Sequence, residues 1–195
     1  MQKNRLFSTK ALVTSSLLTA LSIVLTRFLS VQVTDTLRIS IGNLPIMISG
    51  ILFGPIAGAL TGFVADFIGT TFFSPYAWFA PLGVTPVLIG LLPAVIKLVF
   101  FRGKELTMSK LLIMLIPTYA LGPLFWSTIS LHWLYGRSLI TMLYTRVPYS
   151  LLIVVIEIIA VCVLAKSGAF KPFGLYISGG KKDELRIDAS VHSQR

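Results

Sequence analysis

The sequence has few charged residues, a single cysteine and two histidines, and each shortage excludes a class of protein. Charged residues occupy only 12% of the 195 positions, whereas hydrophobic residues occupy 55%. Soluble domains carry about 25% charged residues, so this composition excludes a soluble domain. Cys162 cannot form an internal disulfide, and His132 and His192 have no cysteine neighbours. We therefore expect neither a disulfide framework nor a metal site.

The chain also lacks the motifs of nucleotide chemistry and of hydrolysis. It contains no Walker-type phosphate loop, no dinucleotide-binding glycine fingerprint and no HExxH sequence. It offers no serine, histidine and acid set at a spacing that fits neighbouring helix positions. We therefore expect no enzymatic activity, no catalytic residue and no cofactor. If ATP drives a process in which this chain takes part, another polypeptide hydrolyses it.

Long apolar runs dominate what is present. A helix needs about 20 mostly apolar residues to cross roughly 30 Å of hydrocarbon. The runs that meet or approach this length are 11–29, 39–53, 56–73, 80–101, 109–132 and 146–166. The second is short, and Gly42, Asn43 and Pro45 predict an irregular start that is packed inside the protein. The sequence therefore predicts an all-α membrane protein with six transmembrane helices, comprising one membrane domain over 1–168 and a flexible cytoplasmic tail over 169–195.

The excess of basic over acidic residues in the chain is explained by this topology. The formal net charge is +10, with 17 Lys and Arg residues against 7 Asp and Glu residues. Six spans place both termini on one side, and that side holds all of the cations except Arg27, Arg38, Arg137 and Arg146. Excess Lys and Arg mark the cytoplasmic side of membrane proteins. We therefore expect both termini in the cytoplasm, a location in the cell membrane among lipid, and no nucleic-acid partner.

The four remaining arginines lie near the outer ends of predicted helices or in external loops. Such arginines can extend to lipid headgroups, which is one interpretation. Alternatively, they form an electropositive mouth that attracts an anionic solute, because guanidinium donors match the two oxygens of a carboxylate. Arg27 and Arg38 flank the irregular start of the second span. These two are the candidate ligand contacts.

Aromatic rings and two acids add further candidates. Residues 72–79 hold more rings than an ordinary loop, and Tyr76, Trp78 and Phe79 are placed to stack on a planar heterocycle. Asp66 and Glu157 lie within predicted spans, where an unpaired acid costs on the order of 3 kcal/mol. We expect each acid to face the protein interior and to have a partner. A proton relay of a secondary transporter is the alternative explanation.

Small residues recur at helical spacing in the first and third spans. Gly58 and Gly62 share one face of the third span with Asp66, and this spacing predicts close helix packing. Gly54 and Pro55 before them predict a tight turn. A stripe of small residues in the first span, including Ser16 and Ala20, either packs internally or docks another membrane subunit.

One region of the chain carries a family likeness. The stretches LRISIGNLPIMISGILFGPIAGALTGFVADFIG, at 37–69, and PLGVTPVLIGLLPAVI, in the fourth span, resemble the S components of energy-coupling factor (ECF) transporters. Within that family the sequence is most similar to the folate-specific members. The resemblance implies a six-helix protein that captures a vitamin outside the cell with high affinity. It also implies partnership with a membrane scaffold subunit and two ATPase subunits, and release of the vitamin by toppling within the bilayer.

The resemblance also gives the candidate residues roles. For folate, the pterin ring would stack near Tyr76, Trp78 or Phe79, with hydrogen bonds from Asn43 or Asp66. The glutamate carboxylates would meet Arg27 or Arg38. The candidate substrate-binding residues are Arg27, Arg38, Asn43, Asp66, Tyr76, Trp78, Phe79 and Thr85, and the scaffold-docking residues are Ser16 and Ala20. Two alternatives stay open: an S component for another vitamin or precursor, and a stand-alone secondary transporter. The second is disfavoured because the halves of the chain show no convincing internal repeat.

Overall fold

The described part of the protein is a bundle of six helical rods. The computed structural model describes residues 9–34, 37–75, 77–101, 106–136, 138–166 and 177–178. Its helices are α1 (Thr9–Arg27), α2 (Asn43–Phe53), α3 (Pro55–Phe73), α4 (Ala80–Phe100), α5 (Met108–Tyr119), a π-helical segment (Ala120–Trp126), α6 (Ser127–Tyr135) and α7 (Leu139–Lys166). Because α5, the π-helical segment and α6 follow one another without a break, they form a single rod. The described residues also form four short strands: β1 (Val31–Thr34), β2 (Leu37–Ile39), β3 (Leu106–Thr107) and β4 (Ile177–Ser178).

The six predicted spans coincide with the six rods, which confirms the fold class. Four stretches are long and apolar enough to cross a membrane: Pro55–Phe73, Ala80–Phe100, Lys110–Tyr135 and Leu139–Ala160. The apolar parts of α1 and α2 are shorter. The side of the membrane that holds the termini stays a prediction, as does the domain boundary at 168. The predicted tail over 169–195 lies outside the described residues, apart from 177–178.

Two predicted helix boundaries are wrong. The second span was expected to begin at residue 39, but its helix begins at Asn43, because 37–39 form β2, which pairs antiparallel with β1. The last span was expected to begin at 146, but α7 begins at Leu139. Residues 139–145, LITMLYT, are themselves mostly apolar and continue the run, so the expected start lay about two turns too late. We use the term pocket end for the end of the bundle where α1, α3 and α6 finish and α2, α4 and α7 begin.

Glycines bring α2, α3 and α4 into backbone contact. A Cβ at Gly50 or Gly58 would collide with the carbonyl oxygen of Gly90, and a Cβ at Gly62 would collide with that of Pro86. This confirms the close packing predicted from the glycine spacing. Between α2 and α3, Gly54 has φ 103°, which L side chains rarely adopt, and Pro55 opens α3. The predicted tight turn is therefore present.

The core lies between α2 and the rods formed by α4, α5 and α7. Its fully buried members include Met47 of α2, Ile89 of α4, and Met114 and Leu115 of α5. The outward faces of the helices carry large exposed apolar side chains, such as Leu17, Phe72 and Ile140. Helices that are apolar on both inner and outer faces suit a lipid environment. At the far end from the pocket end, Lys97 Nζ donates to the Ile51 carbonyl at 2.8 Å and ties α4 to α2.

Candidate ligand-binding site

A cavity of about 360 Å³ opens at the pocket end. This volume falls within the roughly 300–1,000 Å³ that is typical of small-molecule sites. The predicted substrate-binding residues that line it are Arg27, Asn43, Asp66, Trp78, Phe79 and Thr85. Tyr76 lies outside the described residues, and so does the side chain of Arg38, whose backbone belongs to β2. The structure thus brings six of the candidates to one cavity, while their role in binding stays a prediction.

Arg27, Asp66 and Trp78 form a polar network on one wall. Arg27 Nη2 lies 3.9 Å from Asp66 Oδ1 and donates to Thr70 Oγ1 at 2.6 Å. Trp78 Nε1 donates to Asp66 Oδ2 at 3.1 Å, and Thr70 Oγ1 donates to Asp66 Oδ1 at 3.4 Å. Asp66 and Thr70 are four residues apart on α3, so they share a face. The expectation that Asp66 has a partner is confirmed, and the partner includes a guanidinium.

Trp78 is held by rings on its other sides. Its centroid lies 5.2 Å from that of Phe67 and 6.2 Å from that of Phe63, with both pairs edge to face. Gly83 closes the remaining space, because a Cβ there would lie 3.0 Å from Trp78 Cζ2. Edge-to-face contacts of this kind fix ring orientation. The aromatic wall is therefore set in place before any ligand arrives.

Small polar groups fix the start of α2, and sequence reasoning missed them. Ser22 Oγ donates to the Gly42 carbonyl at 2.6 Å, and Ser40 Oγ accepts from the Gly42 N–H at 3.0 Å. Gly42 has no room for a Cβ, which would collide with Thr26 Oγ1. Ser22 and Thr26 also line the cavity. Their spacing of four residues on α1 was the available signal, since it places both hydroxyls on one helix face.

A second hollow, which we call the side chamber, adjoins the main cavity. It has a volume of about 200 Å³ and shares Thr26, Asn43 and Pro123 with the main cavity. Arg146 of α7 lines it and is only 9% exposed. Arg146 Nη1 donates to Ser127 Oγ at 3.1 Å and to Thr128 Oγ1 at 3.2 Å. This arginine therefore faces inward, which excludes the headgroup interpretation for it.

Glu157 of α7 is buried, as expected, and Asn43 of α2 lies beside it. Its exposed fraction is 1%. Within the part of the chain that the structure describes, neither carboxylate oxygen has a hydrogen-bond partner. Asn43 is therefore the candidate partner of this acid, and a hydrogen bond between the two stays a prediction.

An apolar groove of about 590 Å³ runs between α1 and α3. Both predicted docking residues, Ser16 and Ala20, line its α1 side. Leu60 and Val64 line the α3 side. Small residues on one wall allow another helix to approach closely. The docking role of Ser16 and Ala20 stays a prediction.

Comparisons with known proteins agree on one family. Residues 6–169 match the family model described as "ECF-type riboflavin transporter, S component". The folate transporter FolT of Clostridium novyi (strain NT) is 36% identical over 126 residues, which are 65% of this chain and 70% of that protein. The family model and this relative name different vitamins, so membership alone does not choose the ligand.

Two solved structures share the fold. A crystal structure of FolT bound with folic acid is similar with a TM-score of 0.69 and 25% identity, covering 80% of this chain and 92% of that one. A structure of the S component of a bacterial ECF transporter has a TM-score of 0.62 and 22% identity, covering 82% and 95%. The chain is therefore a multi-pass membrane protein that belongs to the family of S components, the substrate-binding subunits of ECF transporters.

Proposed function

We propose that this S component captures folate and delivers it to an ATP-driven importer. The observation that carries the proposal is the main cavity, where an aromatic wall at Trp78 and Phe79 meets the acid of Asp66. The FolT relative and the FolT structure bound with folic acid support the same vitamin. Folate combines a flat pterin ring with two carboxylates, and both parts have candidate contacts in this chain.

The pterin ring fits the main cavity in shape and in hydrogen bonding. Stacking against Trp78 or Phe79 would hold its faces. Asp66 already accepts from Trp78 and Thr70, but a carboxylate offers about four acceptor sites, so it can also accept from the ring N–H groups. Thr85 Oγ1 is buried and has no hydrogen-bond partner among the described residues. A ligand polar atom would satisfy it, and Asn43 would supply a further amide contact.

The glutamate carboxylates of folate need cationic partners. Arg27 and Arg38 are the candidates that the sequence predicts for this role, and Arg27 lines the cavity. Arg27 already has Asp66 and Thr70 as partners, so part of its donor capacity is in use. Within this proposal Arg27 orients Asp66 and adds positive charge to the cavity wall that a ligand anion approaches.

Riboflavin is the second candidate, because the matching family model is described by that vitamin. Riboflavin is also planar and would stack on the same wall. It carries no carboxylate, so the arginines near the cavity would have no anionic group to bind. The two vitamins therefore differ in charge, and a binding experiment with both of them decides between the two candidates.

The partners proposed for this chain are a membrane scaffold subunit and two ATPase subunits. The α1–α3 groove supports the scaffold contact, since Ser16 and Ala20 allow close approach of a partner helix. ATP hydrolysis is assigned to the other subunits, and release of the vitamin is assigned to toppling of this subunit in the bilayer.

Equilibrium binding to the purified chain tests the proposed ligand. The chain would be isolated in detergent without partners, and radiolabelled folate and riboflavin would be titrated separately by filter binding. We expect saturable binding of folate and none of riboflavin at the same concentrations. Mass spectrometry of small molecules that co-elute with the chain gives an independent readout. Saturable binding of riboflavin alone, or of neither vitamin, would overturn the proposal.

A further inference from the structure

Arg146 is a buried cation that has no counter-ion among the described residues. Its side chain is 9% exposed, deep in the bundle beside α6. The acceptors that this part of the chain offers it are the hydroxyls of Ser127 and Thr128, both at Nη1. Arg27 differs in this respect, because Asp66 Oδ1 lies 3.9 Å from its Nη2.

This arrangement leaves Arg146 with unused donors. A guanidinium carries five N–H groups, and the two hydrogen bonds to Ser127 and Thr128 both start from Nη1. Burying a charge without an opposite charge is unfavourable, so such a group is set up to receive an anion. The side chamber gives an anion room beside Arg146, with a volume of about 200 Å³.

Tyr119 supplies a second unused donor in the same chamber. It is the last residue of α5, it is 3% exposed, and its hydroxyl has no hydrogen-bond partner in the described ranges. Like Arg146, it lines the side chamber. A guanidinium and a phenol that both need acceptors fit a carboxylate, which offers two oxygens with several acceptor sites.

The π-helical segment borders both the side chamber and the main cavity. Its Pro123 lines both hollows, together with Thr26 and Asn43. A π-turn spreads one additional residue over the turn, and such segments are frequent at functional sites. Ser127 and Thr128, which hold Arg146, follow directly after this segment. The two hollows are therefore adjacent, and a ligand long enough to extend past these shared residues would contact both.

We propose that the side chamber binds the carboxylate end of the ligand, with Arg146 as the cationic contact and Tyr119 as a second donor. The ring system stays in the main cavity against Trp78 and Phe79. This inference rests on the proposed function, since it requires a vitamin that has both a flat ring and an acidic tail. It assigns the carboxylate to an arginine of α7 rather than to Arg27, whose charge Asp66 already balances.

A pair of ligands tests this assignment. Folate and its diamide, in which both tail carboxylates are neutral amides, would be titrated into the purified full chain. The variants are Arg146→Gln, Arg146→Lys and Tyr119→Phe. Lys97→Gln is the matched control, because it also removes one partly buried positive charge, but at the opposite end of the bundle. Gel filtration and thermal unfolding establish that each variant is folded.

We expect the wild-type chain to prefer folate to the diamide by roughly tenfold to a hundredfold, the range of a charge-assisted pair. Arg146→Gln should lower folate affinity by this factor, leave diamide affinity unchanged, and so abolish the preference. Arg146→Lys should keep part of the preference, and Tyr119→Phe should reduce it by a few-fold. Lys97→Gln should leave it intact.

The outcomes separate this inference from the function on which it rests. If the wild-type chain binds folate but Arg146→Gln keeps the wild-type preference, the side-chamber assignment is wrong and the proposed function stands. If Arg146→Gln does not fold, an unchanged preference in both Arg146→Lys and Tyr119→Phe overturns the assignment equally well. If the wild-type chain does not bind folate, the proposed function fails first, and the assignment fails with it.

Discussion

At the scale of single residues, the cavity contains polar groups whose satisfaction depends on a ligand. Thr85 is the simplest case, since its Oγ1 is buried and has no partner among the described residues. Leaving a buried hydroxyl unpaired costs about 1–3 kcal/mol, and removing it can be neutral or stabilising. Such residues lower the free energy of unfolding of the empty protein and raise its affinity for a ligand that pairs with them.

The substitution Thr85→Val separates these two effects. We expect the free energy of unfolding of the empty protein, measured by thermal unfolding, to be unchanged or raised by up to about 1 kcal/mol, because no hydrogen bond is lost. Folate affinity should fall by roughly fivefold, the value of one neutral hydrogen bond. Thr118→Val is the matched control, since Thr118 is buried in α5 outside both hollows, and its hydroxyl donates to the Met114 carbonyl at 2.7 Å. A stability loss with unchanged affinity at Thr85 would contradict this role.

Asp66 accepts hydrogen bonds from Trp78 and Thr70 and forms an ion pair with Arg27. Asp66→Asn would replace an acceptor-only carboxylate with an amide and leave Arg27 without its ion-pair partner. We expect folate affinity to fall by roughly tenfold or more, measured by equilibrium binding. Thr70→Val should have a smaller effect, because it removes one long contact to Asp66 and one to Arg27 while the charges stay in place. Equal affinity in wild type and Asp66→Asn would exclude Asp66 as a ligand contact.

Residue identity predicted much of the main cavity but little of the side chamber. Arginines, rings and an acid stand out in an apolar chain, and six such candidates line one cavity. Arg146 was also noticed in the sequence, but the burial of its side chain was not predictable. The helix around it is apolar on most sides, so no polar face shows which way a side chain points. Ser22 and Thr26 were missed because Ser and Thr hydroxyls in spans commonly bond a carbonyl of their own helix, as Thr26 does with that of Ser22.

At the scale of elements, α3 and α4 are in direct backbone contact. This contact is made by backbone atoms at Gly58 and Gly90, where side chains have no space. We expect Gly90→Ala to lower thermal stability by about 1–3 kcal/mol or more, because the added methyl group forces the helices apart. Folate affinity should fall as well, since α3 carries Asp66 and α4 carries Thr85.

Gly122 provides the matched control for this prediction. A Cβ there would meet its nearest neighbour, Ile89 Cγ1, at 3.7 Å, which is ordinary van der Waals contact. We therefore expect Gly122→Ala to leave both stability and affinity near the wild-type values. Thermal unfolding in detergent distinguishes the pair. Equal losses in both variants would show that helix glycines matter here for a reason other than close approach.

The α1–α3 groove makes a prediction that is independent of ligand binding. Filling it with Ala20→Leu should leave folate affinity unchanged and abolish uptake into cells that also contain the scaffold and ATPase subunits. Leu17→Ala is the control on the same helix, because Leu17 is 68% exposed and does not line the groove. Uptake by Ala20→Leu at the wild-type rate would place the docking surface elsewhere.

Element boundaries followed hydropathy only in part. The runs of apolar residues predicted six rods, because the membrane requires length and apolarity of any spanning helix. The start of α2 was misplaced, since the short alternation of residues 37–39 suits a strand as well as a helix. The π-helical segment was not predicted, because Pro123 signals a disturbance without specifying its form.

At the scale of the whole molecule, the direction of the bundle in the membrane remains the prediction on which capture from outside depends. Cysteine labelling tests it in a Cys162→Ser background. We expect Ser138→Cys, at the pocket end, to react with an impermeant maleimide on intact cells. Ser167→Cys should react only after the membrane is permeabilised. The reverse pattern would place the pocket end in the cytoplasm and remove the basis for import.

The backbone contact between α3 and α4 also restricts how the bound molecule can leave. Helices that touch through glycine backbone atoms cannot separate without losing that contact, so we expect α2, α3 and α4 to move together. We therefore expect the ligand to enter and leave past β1, β2 and the aromatic segment that precedes α4. A cross-link engineered between those two parts should then slow the release of bound folate.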